Sequence, residues 1–312
     1  MDDQVTNERR PLQPVLILCA PRSCSTVVCA MFGLHPRLYG FPELNLFLTD
    51  RLGELEQLAT ATTPGSVSYW TGLLRAVAEL RFGGQSSEAM QSARGWVTAR
   101  RDWTTKRTLE WLLEAVHPRI GVDKSPRTCL SIKCIGRALA AFPRARLVHL
   151  TRHPVATLRS LVQAHLSAAP NAALSRDQSR LAGFYAGLWL QAQESILAAL
   201  EGRDSGLTTR IRAEDILRVP ASHLARMGDW LKLPSDPESI AAMLHPENSP
   251  YACLPPGNLA GDGDPGFQRS PALRRHDESQ SHLQWPDEWH LDPELQYRLD
   301  VASRMLGYGS LL

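Results

Sequence analysis

The sequence predicts an α/β fold with a central, mainly parallel sheet flanked by helices. Segment 15–20 is an apolar run without polar alternation, which is typical of a strand buried on both faces of a parallel sheet. Predicted strands alternate with helical patterns along the chain, as they do in strand–helix–strand units. Polar and basic residues follow several of these strands, at the edge where such sheets bind ligands.

The length and composition fit an ordinary globular protein. The chain has 312 residues, of which 43% are hydrophobic and 21% are charged, and this balance is usual for a folded domain. We interpret residues 1–13 as a disordered lead and residues 14–312 as a single domain. Within that domain we expect a helical insert at about 67–117 and a long irregular loop at about 245–275.

Charge, hydropathy and cysteine spacing exclude several classes of protein. The net charge of +2 lacks the basic field of a nucleic-acid-binding protein. No apolar stretch is long enough to span a bilayer, and residues 1–13 contain no signal-peptide core. The six cysteines form neither a C-x-x-C pair nor a zinc-ligand spacing. We therefore expect a cytoplasmic protein with reduced thiols, no metal and no membrane span.

The first strand and the first helix meet at a polar turn within residues 14–26. After Pro21, residues 23–26 place hydroxyl and N–H groups at the start of a predicted helix over 24–34. A helix N-terminus binds phosphate or sulfate through its open N–H groups and dipole, and Arg22 adds a planar fork of donors. The G-x-x-x-x-G-K-[ST] spacing of a Walker A loop is absent. The residues alone fit an anion-binding turn and an ordinary capped helix equally well.

Two segments resemble the donor-binding motifs of sulfotransferases that use 3′-phosphoadenosine 5′-phosphosulfate (PAPS). Residues 21–26, Pro-Arg-Ser-Cys-Ser-Thr, followed by His35-Pro36, resemble the loop that binds the 5′-phosphosulfate. Residues 147–160 form a predicted strand ending in Arg152-His-Pro, with Ser160 eight positions after the arginine, and are similar to the 3′-phosphate motif. The resemblance implies a P-loop-NTPase-like sulfotransferase architecture.

The resemblance covers residues 14 to about 233 and implies PAPS as the sulfonate donor. The residues that it assigns to donor binding are Arg22, Ser23, Cys24, Ser25, Thr26, Arg152 and Ser160. The loop of the resembled family usually has Gly where this chain has Cys24, and a Cβ disfavours a positive φ there. Without the resemblance, Arg152 is explained by a surface carboxylate partner and Ser160 as an ordinary helical serine.

Glu43 is the candidate general base. Gly40 and Pro42 predict a turn, and Glu43 is predicted to open a second helix directly after the proline. Acidic residues are favoured in a first helical turn because they face the helix dipole, and on sequence alone this structural role is the better explanation. In several branches of the resembled sulfotransferases, a Glu after the His-Pro turn is the general base, which implies that role for Glu43.

Lys124 is the second candidate catalytic residue, and Arg22 is the third. A predicted strand at 119–123 ends in Asp-Lys-Ser-Pro, which resembles the family's Asp-Lys-[Ser/Thr]-Pro element, where the Lys reaches the bridging oxygen of the sulfonate. The alternative is an ordinary surface Lys, although the end of a strand is a favoured ligand position. Cytosolic aryl and steroid sulfotransferases carry Lys-x-His here, with His as the base. Pro126 occupies that His position, so the sequence argues against a His base.

The remaining elements follow from amphipathic patterns and turn signals. In chain order they are helices at 69–82, 88–101, 104–116 and 127–142, a strand at 146–150, a helix that begins at 154, a loop at 164–178, a helix at 179–200, a strand at 207–211, and helices at 224–233 and 293–309. We expect the tryptophans of the insert to pack in its core. Glu214 and Asp215, which follow the last strand, are interpreted as structural.

The stretch 245–275 is too long for an ordinary connection and is either functional or disordered. In sulfotransferases, a late basic loop that contains Gly covers the nucleotide. The resemblance therefore implies that Arg274 and Arg275 help to bind the donor, although the Arg-Lys-Gly signature of the cytosolic branch is absent.

The resemblance implies an enzyme that moves a sulfonate group from PAPS to a hydroxyl by in-line transfer with a general base. The acceptor is expected to be a hydroxylated small molecule, a carrier-bound group or a peptide. Two other classes stay open. A P-loop-like kinase or nucleotidase should show a Walker Lys and a metal-binding Asp, and the sequence has neither. A non-catalytic adenosine-phosphate-binding protein would tolerate the loss of Glu43 and Lys124, both of which are present.

Overall fold

Five parallel strands form one sheet in the computed structural model, which describes residues 12–61, 69–172, 175, 177–258, 263–274, 284–286 and 288–311. The strands are β1 (Val15–Leu18), β2 (Leu38–Gly40), β3 (Ile120–Lys124), β4 (Arg146–Thr151) and β5 (Thr208–Arg212). Their order across the sheet is β2-β3-β1-β4-β5. The predicted α/β fold with a parallel sheet is therefore confirmed.

Helices connect the strands and cover both faces of the sheet. They are α1 (Ser25–Gly33), α2 (Leu52–Thr60), α3 (Thr71–Phe82), α4 (Ser87–Thr98), α5 (Thr105–Val116), α6 (Ile132–Ala141), α7 (Pro154–Ala168), α8 (Gln178–Leu200), α9 (Ala213–Arg218), α10 (Pro220–Leu231), α11 (Pro237–Met243), α12 (Pro265–Arg269) and α13 (Pro293–Met305). Among these described helices, none combines the length and apolarity that crossing a membrane requires.

The central strand β1 is buried on both faces, as its apolar run predicts. Leu16 and Leu18 belong to one hydrophobic cluster, which also contains the apolar faces of α3, α4, α5 and α6. Val15 and Ile17 belong to a second cluster on the other face, together with residues of α1, α10 and α11. A third cluster joins α7, α8 and α13. Burial of this apolar surface is the main source of stability in such a fold.

The register of the sheet brings the ends of three strands together. Ile17 of β1 lies opposite Lys124 of β3, and Leu18 lies opposite His149 of β4. Since all three strands are parallel, the segments that follow them meet at one edge of the sheet. These segments carry the residues that the sequence analysis assigned to the site.

The prediction that a helix begins at Glu43 is wrong. Glu43 lies in a segment without regular structure, and a short 3₁₀ helix, Leu46–Leu48, follows it. Asn45 has a left-handed backbone with φ of 53°. The N–H groups of Leu44 and Asn45 bond to side chains at the end of β3 instead of to a helical carbonyl. This replacement of helical hydrogen bonds by tertiary ones is the physical reason for the difference.

Several other boundaries differ from the expectation. The strand β2 and the helix α2 were not expected. The helix predicted at 127–142 is divided at Ser131, whose backbone is extended, into a 3₁₀ helix, Pro126–Leu130, and α6. Helix α7 continues to Ala168, into the predicted loop. Most of the predicted lead, residues 1–11, lies outside the described residues.

Candidate active site

The turn between β1 and α1 presents open N–H groups to the edge of the sheet. Arg22 and Cys24 both have left-handed backbones, with φ of 66° and 60°. The Cβ of Cys24 therefore does not prevent the positive φ that the sequence analysis considered disfavoured there, although non-glycine residues adopt it at a cost. No side chain caps α1, no acidic residue lies in its first turn, and its first helical bond runs from Val28 N to Cys24 O. The preceding N–H groups and the dipole favour an anion.

Arg22 joins the two predicted phosphate motifs. Its Nε donates to Ser160 Oγ at 3.0 Å, and its carbonyl oxygen accepts a bond of 2.8 Å from Arg152 Nη1. Its Nη1 also forms an ion pair of 2.9 Å with Asp264 Oδ1. The motifs, which are more than a hundred residues apart in sequence, therefore lie side by side.

Glu214 stabilises the turn that carries Arg152 through hydrogen bonds. One carboxylate oxygen of Glu214 accepts a bond of 2.7 Å from His153 N, and the other accepts a bond of 3.0 Å from the Tyr308 hydroxyl. Burial lowers the pKa of His153 and raises that of Tyr308. Glu214 thus has the structural position expected of it, whereas nothing in the sequence pattern pointed to Tyr308.

Glu43 and Lys124 form an ion pair at the same edge of the sheet. Lys124 Nζ lies 2.8 Å from Glu43 Oε1 and donates to Thr26 Oγ1 at 3.2 Å. The Lys124 side chain is 2% exposed and that of Glu43 is 14% exposed. The structure therefore brings the candidate base and the candidate charge-stabilising residue into contact with each other and with residues 21–26, here called the donor loop.

The backbone next to Glu43 is fixed by residues at the end of β3. Asn45 N donates to Ser125 Oγ at 3.0 Å, and Ser125 Oγ donates to Asp123 Oδ1 at 3.0 Å. Asp123 also accepts a hydrogen bond from the N–H of Leu44, and burial raises its pKa to about 7. Lys124 lies between these two anchoring residues, so the same strand end holds the Glu43 segment and contacts the Glu43 carboxylate.

Helix α3 holds the same segment from the other side. A Cβ placed on Gly72 would clash with the Glu43 carbonyl oxygen, and it would lie 2.7 Å from the carbonyl carbon and 3.0 Å from the Glu43 nitrogen. Only glycine allows this approach without a shift of the backbone. The sequence analysis assigned no role to Gly72, Asp123 or Ser125, because no local pattern relates them to Glu43.

Part of the late loop lies against the donor loop. Asp264 N donates to Thr26 Oγ1 at 2.9 Å, and the Asp264 carboxylate caps α12 through Gly266 N at 2.9 Å. Arg274 lies further along the same loop, and its Nη2 donates to Ser270 O at 3.3 Å. Arg275 lies outside the described residues. Asp264 was not among the residues that the sequence analysis selected.

A cavity of about 960 Å³ lies between these elements. This volume is near the upper end of the range of about 300–1,000 Å³ for ligand pockets. Arg22, Glu43 and Arg152 all contribute to its wall. Among the described residues, Ser23 Oγ and Arg152 Nε are buried without a hydrogen-bond partner, and both suit phosphate oxygens. No group of three or more His, Cys, Asp or Glu side chains within the described ranges is arranged to hold a metal ion.

Comparisons with known proteins identify the family and the fold. A family model described as "Sulfotransferase family" matches residues 14–237, well over half of the chain. A comparison with curated protein sequences found no match.

Three solved structures illustrate the likeness. The sulfotransferase domain from the curacin biosynthetic pathway has a TM-score of 0.75 at 22% identity, covering 96% of this chain and 99% of its own. The sulfotransferase domain from the Synechococcus PCC 7002 olefin synthase has a TM-score of 0.73 at 23% identity, covering 99% of each chain. Sulfotransferase STF9 from Mycobacterium avium has a TM-score of 0.55 at 18% identity, covering 95% of this chain and 77% of its own. These likenesses show a shared fold.

Proposed function

Because this chain belongs to the sulfotransferase family, we propose that it transfers a sulfonate group from PAPS to an acceptor hydroxyl. The observation that carries the proposal is the position of Lys124. Its ammonium group lies 3.2 Å from Thr26 Oγ1 at the uncapped start of α1 and 2.8 Å from Glu43 Oε1. One cation thus connects the candidate donor site with the candidate base.

The donor fits the polar groups at this edge of the sheet. The open N–H groups at the start of α1, with Ser23 and Thr26, would hold the 5′-phosphosulfate. Arg152 and Ser160 would hold the 3′-phosphate, and Arg22, which bonds to both, would keep the two subsites in register. Arg274 at the edge of the cavity is a further donor contact in this proposal.

The chemical step needs a charge stabiliser and a proton acceptor. PAPS supplies the activated sulfonate. Lys124 would stabilise the negative charge that develops on the bridging oxygen as its bond to sulfur breaks. Glu43 would take the proton of the acceptor hydroxyl as its oxygen bonds to sulfur. Positioning and charge stabilisation supply most of the rate enhancement in group transfers of this kind.

The acceptor in this proposal is a hydroxylated small molecule, a carrier-bound group or a peptide. Two of the similar structures are sulfotransferase domains from the curacin biosynthetic pathway and from an olefin synthase. The metabolic setting of these two proteins favours a metabolic acceptor.

Calorimetric titration of 3′,5′-adenosine bisphosphate (PAP), the expected product, tests the donor site. We expect wild type to bind PAP and Arg152→Ala to bind it about 10- to 100-fold more weakly, since a charge-assisted hydrogen bond is lost. Arg144→Ala is the matched control, because Arg144 is an exposed arginine that precedes β4, at the opposite edge of the sheet. Its affinity for PAP should equal that of wild type.

An assay with labelled PAPS then tests transfer, with Glu43→Gln as the variant that lacks a base. We expect its kcat to fall by about 10²–10⁴-fold while PAP binding persists. Folded wild-type protein that fails to bind PAP would overturn the proposed function. Binding of PAP without transfer to any hydroxyl acceptor would instead support the non-catalytic alternative.

A further inference from the structure

The residues on either side of Arg152 in sequence are both anchored by hydrogen bonds. The hydroxyl oxygen of Thr151, which precedes Arg152, lies 3.0 Å from that of Tyr308. The N–H of His153, which follows Arg152, donates to Glu214 Oε1 at 2.7 Å. The Tyr308 hydroxyl donates to the other oxygen of Glu214 at 3.0 Å. Both neighbours of Arg152 are therefore connected through one hydroxyl group, which belongs to the segment that follows α13.

The hydrogen bonds of this network have one consistent direction. An ionised carboxylate only accepts hydrogen bonds, so the Tyr308 hydroxyl donates its single proton to Glu214. The Tyr308 oxygen is then an acceptor, and Thr151 Oγ1 donates to it. Burial raises the pKa of Tyr308, so the hydroxyl keeps its proton at neutral pH. Loss of this hydroxyl would therefore remove two hydrogen bonds at once.

Other contacts of Tyr308 do not involve its hydroxyl. The Arg212 guanidinium carbon lies 4.6 Å from the centre of the Tyr308 ring, and Arg212 Nη1 donates to Gly307 O at 3.2 Å. The His153 ring meets the Tyr308 ring edge to face at 5.5 Å. The backbone N–H of Tyr308 donates to Ser303 O at 3.0 Å. A phenylalanine at position 308 would keep these contacts and lose only the bonds of the hydroxyl.

We propose that Tyr308 is a positioning residue that sets the affinity of the site for the 3′-phosphate of the donor, acting through Arg152. This inference rests on the proposed function, in which Arg152 binds that phosphate. Arg152 lines the cavity, whereas Tyr308 does not. Any effect of Tyr308 on the ligand must therefore pass through the residues that it holds.

The peptide unit between Arg152 and His153 transmits this effect. Its N–H is the one that Glu214 accepts, so the network orients the backbone from which the Arg152 side chain projects. The guanidinium is further held by the bond of its Nη1 to Arg22 O at 2.8 Å. Charge-assisted hydrogen bonds from a guanidinium to phosphate depend strongly on geometry. A small rotation of this peptide unit would therefore weaken phosphate binding without removing any group that contacts the ligand.

Paired titrations of PAP and adenosine 5′-monophosphate (AMP) test this role, because AMP differs from PAP only in lacking the 3′-phosphate. Each nucleotide is titrated calorimetrically into wild type, Tyr308→Phe and Tyr297→Phe. We expect Tyr308→Phe to bind PAP about tenfold more weakly and to bind AMP with wild-type affinity. Tyr297→Phe is the matched control, since Tyr297 is a 59% exposed tyrosine of α13. It should match wild type with both nucleotides.

The Arg152→Ala background tests whether Tyr308 acts through Arg152. Addition of Tyr308→Phe to Arg152→Ala should change PAP affinity by no more than about twofold, because the side chain that Tyr308 positions is already gone. A full tenfold loss in this background would show that Tyr308 acts on another part of the site, and it would overturn the assignment.

The remaining outcomes separate this inference from the proposed function. Wild-type affinity of Tyr308→Phe for PAP would overturn the positioning role. Equal weakening of PAP and AMP would also overturn it, because a general structural defect does not distinguish the 3′-phosphate from the rest of the nucleotide. Weaker PAP binding by Tyr297→Phe would have the same meaning. Absence of PAP binding to folded wild type would overturn the proposed function itself.

Discussion

The donor loop and the Glu43 segment lie at the same edge of the sheet, but they are held in opposite ways. The donor loop, residues 21–26, is fixed largely through Arg22, whose side chain bonds to Ser160 and Asp264. The segment 43–45 is fixed through its backbone, by hydrogen bonds to the end of β3 and by close contact with α3. The Glu43 side chain is left to contact Lys124.

This difference separates the roles of the two regions. Side-chain contacts of the donor loop are ones that phosphate oxygens can replace, so the loop can exchange internal partners for ligand. Backbone contacts of the Glu43 segment do not involve the carboxylate to which we assign the role of general base in our proposal, so that carboxylate is positioned before any ligand binds. Preorganisation of this kind is what catalysis by positioned charges requires.

The strongest test of the comparison is Gly72→Ala. The added methyl group would push the Glu43 backbone away from α3, and small displacements of a reacting group reduce rates strongly. We expect kcat to fall by about 10- to 100-fold while PAP affinity stays at the wild-type value. Steady-state kinetics with labelled PAPS, together with PAP calorimetry, measure both quantities.

The control for that variant is Gly95→Ala. Gly95 lies in α4 of the same helical insert, and a Cβ there meets no atom within 4 Å. Its kcat should remain at the wild-type value. Equal loss of PAP affinity and kcat in Gly72→Ala would show that the two regions are not held independently.

Asp264→Asn tests the side-chain contacts of the donor loop. Asp264 Oδ1 lies 2.9 Å from Arg22 Nη1, so the Asp264 carboxylate competes with an anionic ligand for this guanidinium group. Asn retains the cap on α12 but removes the charge. We expect PAP to bind about three- to fivefold more tightly, a gain appropriate to a partly exposed ion pair. Weaker binding would mean that Asp264 instead holds Arg22 in its ligand-binding position.

Cys24→Gly tests the backbone cost of the donor loop and has the smallest expected effect. Cys24 has φ of 60°, which glycine adopts without a Cβ clash. We expect unfolding free energy to rise by about 0.5–1 kcal/mol, and Tm by a few degrees, after allowance for the greater freedom of glycine in the unfolded chain. Differential scanning calorimetry measures the change.

The control for that substitution is Cys134→Gly in α6, where the backbone is helical. There the same replacement should lower Tm, because glycine is unfavourable within a helix. A lower Tm for both variants would show that the left-handed backbone at Cys24 carries no net strain.

Local patterns predicted most of the fold and the chemical identity of the candidate site. The apolar run of β1 indicated a strand buried on both faces, and all four of its residues are buried. The amphipathic patterns of α3, α4 and α5 predicted three helices within a few residues of their bounds. Hydrophobic period and turn residues are local properties, so the sequence expresses them directly.

The sequence by itself determined the α/β class and the polar motifs after β1, β3 and β4. Only the tertiary structure decided how the Glu43 segment is held and which groups contact the donor loop. Gly72 and Asp123 act on a segment far away in sequence, and Asp264 meets Thr26 across 238 positions. Contacts of this kind depend on how distant elements pack, and tertiary hydrogen bonds override the local preference that predicted a helix at Glu43.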